Sequence, residues 1–389
     1  MIAGLPCSAF SEGRAPEAVG CLRGILFRRL MTIEDNVGIE SIMIEHSNRF
    51  LLPWVLAVLF GVCALTPLIG RAQGITLTTP ASPGLVPSGF LPIVLGVGTR
   101  NSIPTPTPGP PGDESWLMRL NEHRQMAGLP PVQESVDWSR GAWSHSRYMV
   151  KNDLVDHEED PDNSWYTPEG DQAARSSNLA ASSVCEIEDA EVIDLWMRAP
   201  FHGISLIDPE LRTVGYGSFR EEDGGLQMGA ALDVLRGQGG IPGEVNFPLI
   251  WPRDGSVVTL TSNAGEYPDP LASCPGYTNT SGLPILVQIG DGSQIPGVTA
   301  HALHQGGTLL EHCIFDETSY DNSNADSRKL GRLLLDMRDA IVMIPRHPLV
   351  PGSTYSVSIT VNGQELSWSF RVADAYTQAE KLGVDIQIP

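Results

Sequence analysis

From Glu114 onward, apolar residues recur at helical spacing. Trp116, Leu117 and Leu120 predict a helix over residues 114–126, ended by Gly128-Leu-Pro-Pro131. A second helix over 135–153 places Trp138, Ala142, His145 and Met149 on one stripe, so His145 faces the core as a hydrogen-bonded histidine. Thr167-Pro-Glu-Gly170 supplies an N-cap residue followed by proline at the first helical position, which predicts a third helix to about Ala181. A fourth, over 189–198, carries Ile193, Trp196 and Met197 and ends before Pro200. The period then shortens. Residues 213–220 and 226–235 alternate as strands joined through Glu221-Glu-Asp-Gly-Gly225.

Past a glycine-rich hinge at 237–243, short strands are predicted at 284–289, 298–304, 308–315, 340–344, 354–361 and 366–372. The Asn362-Gly363 pair between the last two predicts a type I′ hairpin. Helices followed by paired strands indicate an α+β fold, and the later run of short strands indicates an all-β sandwich.

Upstream of Glu114 the pattern differs. Residues 1–48 are polar and irregular, Met43 is an alternative start, and 50–70 form an uncharged apolar run ending in Gly70-Arg-Ala72. This reads as an export signal with a small-x-small cleavage pattern, with an uncleaved membrane anchor as the rival. Residues 73–113 are rich in proline, threonine and glycine and are expected to form an extended linker. The chain thus divides into an extension and signal peptide (1–72), a linker (73–113), an α/β domain (114–237), a β-sandwich (244–374) and a C-terminal tail (375–389).

Charge narrows the partners. With 25 basic and 46 acidic residues the net charge is −21, and residues 1–72 hold six of each sign, so the deficit falls on the remainder. That surface repels phosphate backbones, which argues against nucleic acid. Of the six cysteines, Cys274 and Cys313 flank strand-like sequence in one region and are expected to pair, leaving Cys185 alone. No CxxC occurs, so neither a zinc ribbon nor a redox motif is indicated.

Candidate chemistry gathers on His157 and His202, each placed just past a helix. Two imidazoles converging on one cleft suit metal binding or proton transfer. Nearby acids are Glu158, Glu159, Asp160 and Glu169. The first three read as a solvated loop, and Glu169 reads as a charge at a helix N-terminus. No serine sits in a Gly-x-Ser-x-Gly elbow, and Cys185 is followed by Glu186 and Glu188 rather than by a base. Asp321-Asn-Ser-Asn-Ala-Asp326 lacks the glycine and closing glutamate of a calcium loop.

The order of Leu120-Asn-Glu-His-Arg-Gln-Met-Ala-Gly-Leu129, His145-Ser-Arg-Tyr-Met149, His157, Trp196-Met197, Pro200-Phe-His202, Asp208-Pro209 and Val214-Gly-Tyr-Gly217 resembles a bacterial member of the CAP superfamily. That superfamily comprises cysteine-rich secretory proteins, antigen 5 and pathogenesis-related proteins. The resemblance spans about residues 114 to 237 and implies an α-β-α sandwich. It also implies a cleft of two histidines and two acids that holds zinc in some members. His157 and His202 match the histidines. Ser176-Ser-Asn178 stands where many members have Gly-Glu-Asn, so Ser177 occupies the first acidic position, and Ala199 occupies a second. The expected cleft is His157, His202, Glu169, Tyr166, Ser177 and Asn178, with His157 and His202 as the ligands of any zinc. The segment from Pro351 to Phe370 resembles bacterial immunoglobulin-like modules. Together these imply a secreted or surface-held, non-catalytic binding module for a lipid, cell-wall polymer, small molecule or protein. A metal-assisted hydrolase and a structural envelope protein are the alternatives.

Overall fold

A computed structural model describes residues 114–374. The export segment, the linker and the tail at 375–389 lie outside the described residues. The first half is built on helices α1 (Ser115–Met126), α2 (Val136–Asn152), α3 (Pro168–Ala174), α4 (Asp189–Met197) and α5 (Pro200–Leu206). Its strands are β1 (Gln133–Glu134), β2 (Ser177–Ser182), β3 (Thr213–Arg220) and β4 (Met228–Asp233), in the order β1-β3-β4-β2. Strand β1 runs parallel to β3, and the other pairs are antiparallel.

Alternation along β3 explains the layers. Val214 and Tyr216 face α1 and α4, where the Tyr216 ring stacks on Trp116 with centroids 5.0 Å apart and meets Trp196 edge-on at 6.3 Å. Gly215 and Gly217 face α2. A Cβ at Gly217 would lie 2.2 Å from the Trp143 nitrogen, so only glycine allows α2 to approach this closely. The result is the expected α-β-α sandwich. Two local expectations fail. The third helix stops at Ala174, and residues 177–182 pair with β4 instead. His202 is not in a loop but inside α5, which begins at Pro200, where a missing N–H costs nothing.

The second half holds two sheets. Their strands are β5 (Leu249–Trp251), β6 (Val257–Val258), β7 (Ile285–Gln288), β8 (Val298–Gln305), β9 (Thr308–Leu309), β10 (His312–Asp316), β11 (Ala340–Pro345), β12 (Thr354–Val361) and β13 (Gln364–Val372). One sheet has the order β10-β11-β7-β5, the other β6-β13-β12-β8-β9. Asn362 and Gly363 both take positive φ, as the predicted turn requires. An unpredicted helix, α6 (Ala325–Asp336), follows β10. Its N-cap is Asn324, whose side chain accepts from Asp326 N and Ser327 N, so the calcium-like stretch is a helix start.

The halves are not separate beads. One continuous apolar cluster includes Trp196, Ile204, Leu286, Val342 and Trp368, and β11 is buried along its whole length. Gln288 Nε2 donates to the carbonyls of Ile204 and Ile207 on the α5 side. Arg198 Nε donates to Ser262 O at 2.9 Å. The corner between α4 and α5 is therefore held by residues of the β-rich half. Cys274 and Cys313 are bonded, and Cys185 is a free thiol.

Candidate functional site

His157 and His202 come together, and each has one ring nitrogen tied down. His157 Nδ1 donates to Ala174 O, at the end of α3, over 2.9 Å. Burial pushes the His157 imidazole below its ordinary value. The Ala174 hydrogen bond opposes this, while nearby His145 and His202 push it further down. The ring is thus neutral at pH 7 and presents Nε2 as a lone pair.

His202 is held from a direction the sequence did not announce. Its Nδ1 lies 2.6 Å from Glu266 Oε2, and because a carboxylate oxygen accepts, the ring nitrogen donates. The same carboxylate accepts from the backbone N–H of Phe201 at 3.0 Å and of His202 at 3.1 Å. Helix α5 has Ala199 at its N-cap and no capping side chain of its own, so Glu266 satisfies donors that would otherwise be orphaned. The Glu266 side chain is only 1% exposed. Ser205 completes the support, accepting from Asn178 Nδ2 at 2.9 Å and donating to His202 O at 2.7 Å.

The remaining expected residues divide. Asn178 belongs to the site through Ser205. Ser177 is buried at the first acidic position with its hydroxyl unpartnered, and Ala199 is buried at the second. Glu169 is exposed in the first turn of α3, with its carbonyl, rather than its carboxylate, packed toward Gly141. Tyr166 lines a different concavity, with Tyr148, Asn163 and Arg175. Among the described residues no three His, Cys, Asp or Glu side chains are arranged to hold a metal ion. The donor set therefore does not fit zinc. His157 and His202 are two ligands, Glu169 is exposed at the start of its helix, and Glu266 is spent on the far nitrogen of His202.

His145 is the fully buried, satisfied histidine its stripe predicted, with Nδ1 3.0 Å from Glu159 Oε1 and Nε2 2.9 Å from Asp156 O. Glu159 corrects the solvated-loop reading. It is buried, and besides His145 it accepts from Thr167 N at 2.9 Å. Its network ties the His157 loop to the start of α3.

Replacing Glu266 by Gln should weaken this arrangement without emptying the space. We expect a loss of about 2–3 kcal/mol from the charge-assisted bonds and the cap together. The check is urea unfolding combined with 15N shifts of the His202 ring. A shift pattern identical to that of the parent protein would show that Glu266 does not set the tautomer.

Residues 117–228 match the family model described as the cysteine-rich secretory protein family, CAP. That span is under a third of the chain, so it characterises the domain and not the whole protein. No curated protein matches the chain. Among solved structures, an outer surface protein from Borrelia burgdorferi is similar at 19% identity, over 31% of this chain and 89% of its own, with a TM-score of 0.24.

Proposed function

Residues 117–228 form a CAP domain, and from that premise we propose that the protein is an extracellular or surface-held binding module, with the β-rich half, read as immunoglobulin-like, supporting the cleft. One observation carries the reading. Both histidines keep Nε2 available, while the two positions that the family resemblance assigns to acids hold buried, uncharged Ser177 and Ala199. A neutral His157 offers a hydrogen-bond acceptor, which suits a ligand bearing hydroxyl donors. The net charge of −21 disfavours polyanions. The best match is an uncharged, hydroxyl-bearing lipid or glycan, and a protein partner is the alternative.

The test is calorimetric titration of the full chain with uncharged glycans and sterol-containing vesicles, beside a His157→Ala, His202→Ala variant. Binding should weaken at least tenfold in the variant. Hydrolytic turnover that vanishes in the variant, with no binding in either protein, would replace this reading with a hydrolase. The Glu266–His202 pair, which resembles the carboxylate support of a general base, would then be its proton acceptor.

A further inference from the structure

A second histidine pair lies in the β-rich half, within none of the residues matched by the CAP family model. His301 is on β8, on the same face as buried Leu303, so it points toward the facing sheet rather than away from it. His312 is the first residue of β10 in that other sheet. Their rings meet across the gap, with His301 Nδ1 2.8 Å from His312 Nε2 and ring centroids 4.9 Å apart.

The assignment of protons follows from the partners. His312 Nδ1 donates to Leu310 O at 2.8 Å. In a neutral ring Nε2 is then a lone pair, so His301 Nδ1 supplies the proton between them. Burial holds the His312 imidazole below its ordinary value. The Leu310 bond opposes this, and His301 and His304 act with burial, so the ring is neutral at pH 7. A backbone carbonyl on the far nitrogen is also the support that metal-bound imidazoles characteristically have, since it fixes the tautomer and aims the free nitrogen.

We propose that His301 Nδ1 and His312 Nε2 together bind a square-planar or tetragonal divalent ion, Cu2+ or Ni2+, as two adjacent equatorial ligands. Donor type and number select the ion. Two imidazole nitrogens are fewer than the three or four protein ligands a zinc site uses, while Cu2+ holds a given set of nitrogen donors most tightly among the divalent first-row ions and accepts water in its other positions. Binding requires the exposed His301 ring to pivot and its proton to pass to Nε2, leaving both rings neutral. Water fills the remaining positions. The adjacent carboxylate of Glu311 is paired with Arg346 at 3.2 Å and is not a ligand.

The experiment is titration of the untagged full chain with CuCl2, followed by electron paramagnetic resonance. The parent protein should show two equatorial nitrogens. His301→Gln and His312→Gln should each weaken binding at least tenfold and leave one nitrogen, while His157→Ala, His202→Ala should leave the signal unchanged. Thermal unfolding of each variant confirms that the fold is retained. Unchanged Cu2+ affinity in the His301→Gln, His312→Gln double variant would overturn the proposal, as would a parent signal that disappears with His157 and His202 instead.

Discussion

Replacing Arg338 by Met is expected to remove about 3–5 kcal/mol of unfolding free energy, because it leaves a carboxylate buried without its cation. Arg338 Nη2 donates to both oxygens of Asp208, at 2.8 and 2.9 Å, and Nε adds a bond at 3.0 Å. The two side chains are 7% and 3% exposed, so water cannot take over when one is removed. Asp208 also accepts from Gln238 Nε2 and from Glu210 N. Those neutral donors soften the loss without replacing the charge. Arg124 depends on the same carboxylate. It is fully buried, donates to the carbonyls of Leu206, Asp208 and Leu211, and is pushed down to about 10 by burial, with Asp208 opposing. Asp208→Asn should cost about as much as Arg338→Met, since it removes the carboxylate that offsets the burial of Arg124 and leaves Arg338 with Glu210 alone, at 3.3 Å. Because Asp208 follows α5 and Arg338 follows α6, the pair joins the CAP domain to the β-rich half. Both halves should unfold in one urea transition in the parent protein. A loss below about 1 kcal/mol in Arg338→Met would show that the pair contributes little beyond what packing supplies.

That network shows which kinds of information the sequence carried. Apolar periodicity placed α1, α2 and α4, the β3–β4 pair and most later strands, because burial imposes a period that can be read locally. His145 was legible for the same reason, sitting on the stripe that packs inward. His157 and His202 were legible by residue type and order. Their partners were not. Glu266 lies 64 residues beyond His202, in a loop whose composition resembles any polar loop. Only folding of the β-rich half against α5 gives it a role. Glu159 sat in an acidic run that looked solvated, and its burial follows from the long-range match with His145. The helix signal at Thr167 holds only to Ala174, and nothing local in Ser177–Ser182 marks it as a strand. Pairing with β4 then overrides local propensity. The α6 helix is hidden in the sequence because its N-cap, Asn324, lies in residues 321–326, whose alternating oxygen ligands resemble a calcium loop as much as a helix start.

Removing the disulfide by a Cys274→Ala, Cys313→Ala pair should cost roughly 3–4 kcal/mol, mostly through the entropy regained by the unfolded chain. The bond closes a loop with a sequence separation of 39, long enough for this contribution to be substantial. Cys274 is 1% exposed and ends a short 3-10 helix, Pro270–Ser273, while Cys313 lies on β10. Glu266 is eight residues before Cys274 in the same loop. The crosslink therefore anchors to a sheet the segment that caps α5 and orients His202. Two readouts separate its global and local effects. The urea midpoint should fall with the full loss of stability. Below that midpoint, in native buffer, the 15N shifts of His202 should broaden as the Glu266 loop loosens, while those of His145, held by Glu159 within the CAP domain, stay as they were. A lower midpoint with an unaltered His202 spectrum would mean that the bond stabilises the β-rich half alone, and that Glu266 keeps its place without it.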